Sequence, residues 1–184
     1  MRALAVLFLL VPPALARAEG CPPAPDTTER RAALMAELRV APDAAEGNRL
    51  QDELWWLYTK APDEPSQELL NLGMQQREGY DWLGAIATFS RLIDYCPDYA
   101  EGWNQRAFVE FLREDYDAAL EDLDVALRLA PDHIPARAGL AVTLLHKGEI
   151  DAGQAVLRDA LALNPWLPER GMLIPDYTPE GDKL

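Results

Sequence analysis

Four prolines recur at an almost constant interval along the chain, and this spacing limits the fold more than any other feature. Pro97, Pro131 and Pro165 are 34 residues apart, and Pro62 lies 35 residues before Pro97. Each of them follows an apolar run with helical spacing. Because proline lacks an amide hydrogen and restricts the residue before it, it ends a helix. The interval therefore indicates tandem repeat units that each end at a proline.

Each repeat unit also contains a break near its middle, at Glu78–Asp81, Arg113–Tyr116 and Lys147–Ile150. On both sides of each break, apolar residues recur every three or four positions, which is the pattern of an amphipathic helix. The middle unit has Trp103, Ala107, Phe108 and Phe111 before its break, and Tyr116, Ala119, Leu120, Leu123, Ala126 and Leu127 after it. The sequence therefore predicts helix–turn–helix units that stack around a continuous core.

The pattern resembles that of tetratricopeptide repeat (TPR) proteins over residues 66–167. The middle unit carries the resemblance at Trp103, Ala107, Tyr116, Ala119, Ala126 and Pro131. The resemblance implies an all-α fold, a right-handed α-α superhelix (TPR solenoid) of three full helix pairs plus a degenerate N-terminal helical hairpin. The three units would span about 66–99, 100–133 and 134–167.

The last unit departs from the family pattern at two positions. Arg137 stands where the family has tryptophan, and Gly153 stands where it prefers alanine. A glycine in the middle of a helix costs roughly 0.5–1 kcal/mol relative to alanine. Gly153 therefore either weakens its helix or permits a close contact with a neighbour.

The segments outside the repeats predict an exported protein. Residues 1–18 have a positive start, an apolar run and an A-x-A ending, as in a secretory signal peptide. The run is about half the ~20 residues that span a bilayer, so we expect no stable membrane insertion. A retained anchor or a lipid on Cys21 is the alternative. The style of the signal suggests export across the inner membrane into a bacterial periplasm, where Cys21 and Cys96 could form a disulfide. The sequence does not fix the distance between them.

Three further segments complete the predicted organisation: a flexible linker at 19–26, the degenerate hairpin at 27–62 and an extended, Pro-rich tail at 168–184. We expect the hairpin to cover the open N-terminal end of the three units at 63–167. One residue of the Trp55-Trp56 pair should point inward. Trp166 and Met172–Ile174 should cover the other end, with a docking tail as the alternative.

Composition and motifs argue against several functions. The chain has 17 Lys and Arg against 31 Asp and Glu, a formal net charge of −14, which disfavours a nucleic-acid surface. It has no G-x-x-x-x-G-K-[ST], G-x-G-x-x-G, H-E-x-x-H or C-x-x-C motif. His133 and His146 would lie about 20 Å apart on one helix and could not share a metal ion. We therefore expect no catalytic residue, no metal, no small-molecule cofactor, and a neutral or basic protein or peptide partner.

In TPR proteins the first helix of each unit lines a concave groove that holds a peptide, and the resemblance transfers this surface to the present chain. Some TPR proteins clamp a C-terminal carboxylate with Lys and Asn, but here only Asn104 matches. The groove better suits an apolar or aromatic peptide, unless Phe108 and Phe111 simply pack against the next unit. The predicted peptide-binding residues are Leu70, Met74, Arg77, Glu78, Glu101, Asn104, Phe108, Phe111, Leu112, Ala138, Val142, Leu145 and His146.

Two polar residues are predicted to have structural roles. Arg106 stands where the family has leucine, facing the second helix, and a half-buried arginine needs a carboxylate partner. Asp122, Asp124 and Glu110 are the candidates. His133, at the start of a helix, is expected to cap the turn or bond the neighbouring unit.

The sequence leads to one main hypothesis and two alternatives. The main hypothesis is a non-catalytic periplasmic adaptor that binds a protein or peptide on its concave face. The first alternative is a self-associating structural module of the cell envelope that uses its apolar C-terminal end or the Trp55-Trp56 pair. The second is an enzyme with an unrecognised site.

Overall fold

The structure is a computed structural model that describes residues 20–175 and residue 177. The predicted signal peptide and the end of the predicted tail lie outside these residues. The described chain contains α-helices, one short 3₁₀ helix at Pro168–Met172 and no strand, which confirms the all-α class. The helices are α1 (Thr28–Arg39), α2 (Ala44–Tyr58), α3 (Glu64–Glu78), α4 (Trp82–Tyr95), α5 (Ala100–Leu112), α6 (Tyr116–Leu129), α7 (Ile134–Lys147) and α8 (Ile150–Leu163).

Three helix pairs, α3–α4, α5–α6 and α7–α8, stack in sequence order as the repeat predicts. The turn inside each pair contains one residue with positive φ, shortly after the end of the first helix. These residues are Tyr80 (φ 61°), Glu114 (φ 63°) and Gly148 (φ 88°), again 34 positions apart. In the first two pairs the next residue, Asp81 or Asp115, caps the second helix through its side chain.

Gly153 permits a close contact between α7 and α8. A Cβ atom at this position would lie 2.7 Å from Leu145 Cδ2 and 3.0 Å from the Leu145 backbone nitrogen. The helices could not approach so closely with a larger residue. Of the two expectations for this glycine, the structure therefore supports the close contact.

The N-terminal hairpin, formed by α1 and α2, does not lie where we expected it. Its buried leucines share one core with residues of the last unit and of the segment after α8, instead of covering the open N-terminal end. The apolar stripe of α2 packs in this shared core, so the hairpin reaches across the solenoid. The shared core includes Leu34, Leu38, Leu50, Leu54, Tyr58, Ile134, Ala138, Ala160 and Leu167.

Polar contacts hold the hairpin in this place. The Tyr58 hydroxyl donates to the Asp132 carbonyl at 2.9 Å, and Arg31 pairs with the Asp132 carboxylate at 3.1 Å. The Trp166 indole NH donates to the Leu38 carbonyl at 3.2 Å. The expectation that one residue of the Trp55-Trp56 pair points inward is wrong. Trp55 is 48% exposed and Trp56 is 58% exposed, because the leucines on the other side of α2 fill the core.

A disulfide joins Cys21 to Cys96, with their Cα atoms 5.1 Å apart. It ties the segment before α1 to the end of α4 in the first unit. The hairpin is thus held covalently near the first unit and by its core against the last one. The described residues include no free cysteine.

The segment after α8 packs onto the solenoid. The Gln154 side chain, which is fully buried, donates to the Met172 carbonyl and accepts from the Ile174 amide, both at 2.9 Å. Trp166 lies against Gly47 of α2. This part of the tail therefore covers α8, as expected. No helix among the described residues has the length and apolar character needed to span a bilayer.

Candidate functional site

A cavity of about 380 Å³ lies between the first helices of the repeat units and the N-terminal hairpin. One wall comes from α3, α5 and α7. The opposite side is formed by Trp55 of α2 and by Leu167–Glu169 after α8. The cavity thus combines the concave surface that the sequence predicts with two segments that it did not place there.

Seven of the predicted binding residues line this cavity. Phe108 stands out among them, because 45% of its surface is exposed and it is free to contact a ligand. Phe111 is only partly exposed, since its ring packs against Tyr116 and His146 at centroid distances of 5.8 and 5.1 Å. The seven residues are Arg77, Glu101, Asn104, Phe108, Phe111, Ala138 and Val142.

The structure places the other six predicted residues outside this cavity. Leu70 is fully buried in the core of the first pair, so its assignment to the binding surface is wrong. Leu145 packs against Gly153 on α8. Met74 lines a separate, smaller pocket beside Trp56. The remaining three lie outside the cavity lining, with Glu78 and His146 exposed and Leu112 partly buried.

Sequence reasoning missed several lining residues for two different reasons. Gln105, Gly139 and Thr143 lie on the same first helices, each one position after a predicted residue, and Pro135 lies three positions before Ala138. Trp55 and Leu167–Glu169 come from segments outside the three helix pairs, and no sequence signal fixes where those segments fold.

A polar network with a buried carboxylate forms one end of the cavity. Glu101 is 2% exposed, and its carboxylate accepts hydrogen bonds from the Asn104 amide at 3.0 Å and from the Gln105 amide. The Nε2 atom of His133 lies 2.9 Å from the same carboxylate, without the alignment of a hydrogen bond. These groups satisfy the buried charge of Glu101, so it is not free to bind a ligand.

His133 links this network to the hairpin. Its Nδ1 accepts from the Ala136 amide at 3.2 Å and caps α7, so the neutral ring carries its hydrogen on Nε2, facing Glu101. The Tyr58 ring lies 4.2 Å from the His133 ring, centroid to centroid. The capping role expected for His133 is therefore confirmed, and the hairpin rests on it.

Arg77 supplies the positive charge of the lining. Its guanidinium donates to Gln105 Oε1, lies 5.1 Å from the centre of the Phe108 ring and is 3.7 Å from the Glu78 carboxylate. Burial lowers the pKa of Arg77 below the ordinary value of an arginine. The contacts with Gln105, Phe108 and Glu78 therefore hold the Arg77 guanidinium in place.

Glu169 brings a second carboxylate to the lining, and it differs from Glu101. Its Oε2 atom is shielded from solvent and has no hydrogen-bond partner among the described residues. The lining of the cavity therefore combines an apolar surface with an occupied arginine and the Glu169 carboxylate. Within the described part of the chain no group of three His, Cys, Asp or Glu residues is placed to hold a metal.

Arg106 lies outside the cavity and has the structural role that the sequence predicts. Its guanidinium makes a bidentate contact with Asp122, at 2.7 and 2.8 Å, and donates to the Ser90 hydroxyl at 3.0 Å. Of the candidate carboxylates, Asp122 is the partner because it faces Arg106 from the paired helix α6. The pair links the two helices of the middle unit to α4.

Comparisons with known proteins agree with this architecture. The sequence profile of the tetratricopeptide repeat matches residues 110–168. The tetratricopeptide repeat protein 36 homolog of Nematostella vectensis is 40% identical over 66 residues, 36% of this chain and 36% of that protein. A TPR repeat-containing protein of Rhizobium etli is 34% identical over 82 residues, 45% of this chain and 36% of that protein. The matched part thus spans 36% of the length of either relative.

Solved structures share the fold at low sequence identity. The first TPR domain of Spaghetti (RPAP3), bound to the HSP90 peptide SRMEEVD, has a TM-score of 0.55 at 19% identity, covering 58% of this chain and 87% of that one. The TPR2B domain of yeast Sti1, in a complex with pHsp70, has a TM-score of 0.52 at 20% identity, covering 53% of this chain and 78% of that one.

The stacked helix pairs define the class of protein, an all-α solenoid built from helix–turn–helix repeats. The 34-residue period, the profile match over residues 110–168 and the shared fold all indicate tetratricopeptide repeats. The described chain has the fold of tetratricopeptide repeat proteins.

Proposed function

We propose that this chain is a non-catalytic adaptor that binds a peptide or protein segment in the cavity between its concave face and its N-terminal hairpin. The observation that carries the proposal is the exposed aromatic side chain of Phe108 inside a cavity of about 380 Å³ that also contains Trp55. Exposed aromatic residues in a concave apolar site are typical anchors for a ligand.

Two structural neighbours support this proposal, because both are solved as complexes. The Spaghetti domain is bound to an HSP90 peptide, and the Sti1 domain is in a complex with pHsp70. We do not propose that this chain clamps the C-terminal carboxylate of a peptide. Asn104 is bonded to Glu101, and no lysine is among the residues that line the cavity.

We also propose that the protein acts in the periplasm, after export directed by residues 1–18. The disulfide between Cys21 and Cys96 supports this setting, because disulfides persist in oxidising compartments and are rare in the cytosol. The strong negative charge would keep the protein soluble and favour neutral or basic partners over nucleic acid.

The contribution of the cavity is tested by co-purification from an envelope extract. Wild type is compared with Phe108→Ala and with Leu83→Ala, an exposed apolar residue on α4 outside the cavity. We expect Phe108→Ala to lose partners that wild type and Leu83→Ala retain, with all three proteins equally folded by circular dichroism. Identical partner sets for the three proteins would show that the cavity is not the binding site.

Self-association is a second candidate function, and it could use either Trp56 or the apolar C-terminal end. Trp56, 58% exposed on the outer side of α2, is available for contact with another copy. The apolar C-terminal end is less available, since Trp166 and Leu167 pack against the hairpin. Light scattering at micromolar concentration, with Trp56→Ala beside wild type, distinguishes this candidate from a monomeric adaptor.

A further inference from the structure

The Glu169 carboxylate is incompletely hydrogen-bonded at the wall of the cavity. The residue is partly exposed, and its Oε2 atom is shielded from solvent without a hydrogen-bond partner among the described residues. A shielded carboxylate oxygen that gains no hydrogen bond carries a desolvation cost. A cationic group of a ligand beside this carboxylate would offset that cost.

The nearby cations of the protein do not serve this purpose. Arg77 is directed at Gln105, Phe108 and Glu78. Arg170, the residue following Glu169, donates instead to the carbonyls of Trp166 and Leu167, at 3.0 and 3.1 Å. Neither arginine therefore pairs with the Glu169 carboxylate among the described residues.

An aromatic ring lies in the same wall as this carboxylate. Trp55 lines the cavity together with Leu167–Glu169, and about half of its surface is exposed. The face of an indole ring attracts a cation, and more strongly where water is excluded. The rest of the lining, including Phe108 and Val142, is suited to the methylene groups of a long side chain.

We propose that the cavity binds the side chain of a lysine or arginine from its peptide partner, with the cation held between the Glu169 carboxylate and the Trp55 ring. This inference rests on the proposed function and specifies the chemistry of its partner. Charge complementarity carries it, because the chain has a net charge of −14 and Glu101 is already satisfied by Asn104, Gln105 and His133. Glu169 is thus the carboxylate of the lining that remains to be paired.

The test is affinity selection from a nonapeptide library, acetylated and amidated at its ends so that no terminal charge is present. The central residue is Lys, Arg, norleucine, Gln or Glu, and the other positions are randomised. Four immobilised proteins are compared: wild type, Glu169→Gln, Glu121→Gln and the double variant Trp55→Ala/Phe108→Ala. Glu121 is exposed on α6 outside the cavity, so its variant has the same net charge as Glu169→Gln.

We expect wild type and Glu121→Gln to enrich Lys or Arg over norleucine by about ten-fold, the factor that corresponds to one charge-assisted hydrogen bond. Glu169→Gln should lose this preference while circular dichroism shows the same fold. The control matters because any acidic protein attracts basic peptides non-specifically, and both single variants lose the same charge.

The remaining outcomes separate this inference from the proposed function. The inference is overturned if the cavity retains peptides without a preference for Lys or Arg at the central position. It is also overturned if Glu169→Gln shows the same preference as wild type. In both cases the proposed adaptor function is unaffected. Enrichment of Glu would also overturn it and assign the contact to Arg77. If the double variant retains the same peptides as wild type, the proposed function fails and the inference fails with it.

Discussion

The Tyr58 hydroxyl donates a 2.9 Å hydrogen bond to the backbone carbonyl of Asp132, and this contact joins the end of α2 to the turn before α7. The ring of Tyr58 also lies against His133. The first prediction concerns this contact. Tyr58→Phe keeps the ring and loses the hydrogen bond, so it should lower the free energy of unfolding by about 1 kcal/mol. Tyr58→Ala also loses the buried ring and should cost about 3–5 kcal/mol.

Urea unfolding followed by circular dichroism measures both changes. Tyr80→Phe is the matched control, because Tyr80 is exposed on the first unit and should lose no stability. Equal stability of Tyr58→Ala and wild type would mean that the hairpin does not dock on the last unit.

The second prediction is a loss of stability in alkali. Burial raises the pKa of both Tyr58 and Tyr99 above the ordinary value of 10.0. In the unfolded chain both groups ionise near that ordinary value, while in the folded protein they stay protonated. The free energy of unfolding should therefore be unaffected by these groups below pH about 9 and fall as the pH rises beyond about 10.

Urea midpoints between pH about 8 and about 11, with tyrosinate absorbance recorded in parallel, test this dependence. Tyr58→Phe should show a shallower fall, since one of the two groups is absent. A stability that rises over the same interval would contradict the assignment of a buried, protonated hydroxyl to Tyr58.

Reduction of the disulfide provides the third prediction. The bond between Cys21 and Cys96 joins residues 75 positions apart, and its removal frees the segment before α1. A bridge of this kind typically contributes about 2–4 kcal/mol, mainly by restricting the unfolded chain. Reductant should therefore lower the urea midpoint of wild type. The variant Cys21→Ser/Cys96→Ala should unfold at the lower midpoint with or without reductant, and a response of the variant to reductant would refute this account.

The repeat units could be predicted from the sequence because local rules determine them. Pro97 and Pro131 each lie just after the end of a helix, which proline prevents from continuing, and the apolar spacing between them defines two helices without reference to distant residues. The same register placed Phe108 in the groove correctly. It failed for Leu70, since successive residues of a helix are about 100° apart and one position separates a groove residue from a core residue.

The position of the hairpin could not be predicted in this way. Leu54 packs in one core with Ile134 and Leu167, which are far away in the chain. Such pairing depends on the shape of the assembled solenoid, and no local pattern encodes it. For the same reason the sequence did not predict that Trp55 and Glu169 line the cavity.

The fourth prediction concerns Gly153. Gly153→Ala would gain up to about 1 kcal/mol in helix propensity, but the new Cβ would meet the backbone of Leu145. Such overpacking typically costs about 1–3 kcal/mol, so the variant should be less stable than wild type.

Gly102→Ala is the control, because its Cβ would lie 3.4 Å from Leu92, an ordinary contact. That variant should be equal to wild type or more stable, as measured by thermal unfolding. If Gly153→Ala and Gly102→Ala were both more stable than wild type by the same amount, α7 and α8 would not be in close contact at Gly153.

The fifth prediction separates Arg106 from the binding site. Arg106→Leu leaves the Asp122 carboxylate, whose side chain is 8% exposed, without its bidentate partner. An uncompensated buried charge of this kind costs about 3–5 kcal/mol, whereas replacing both partners by apolar residues is often close to neutral. Arg106→Leu/Asp122→Leu should therefore recover most of the stability lost in Arg106→Leu.

Arg128→Leu is the control for this cycle, because Arg128 pairs with Asp124 at an exposed site of the same helix α6. Its loss should change the free energy of unfolding by less than about 1 kcal/mol. The double variant should also bind peptides as wild type does, since neither Arg106 nor Asp122 lines the cavity. A folded double variant that binds no peptide would place Arg106 in direct contact with the ligand, because the loss could not then be attributed to an unpaired carboxylate.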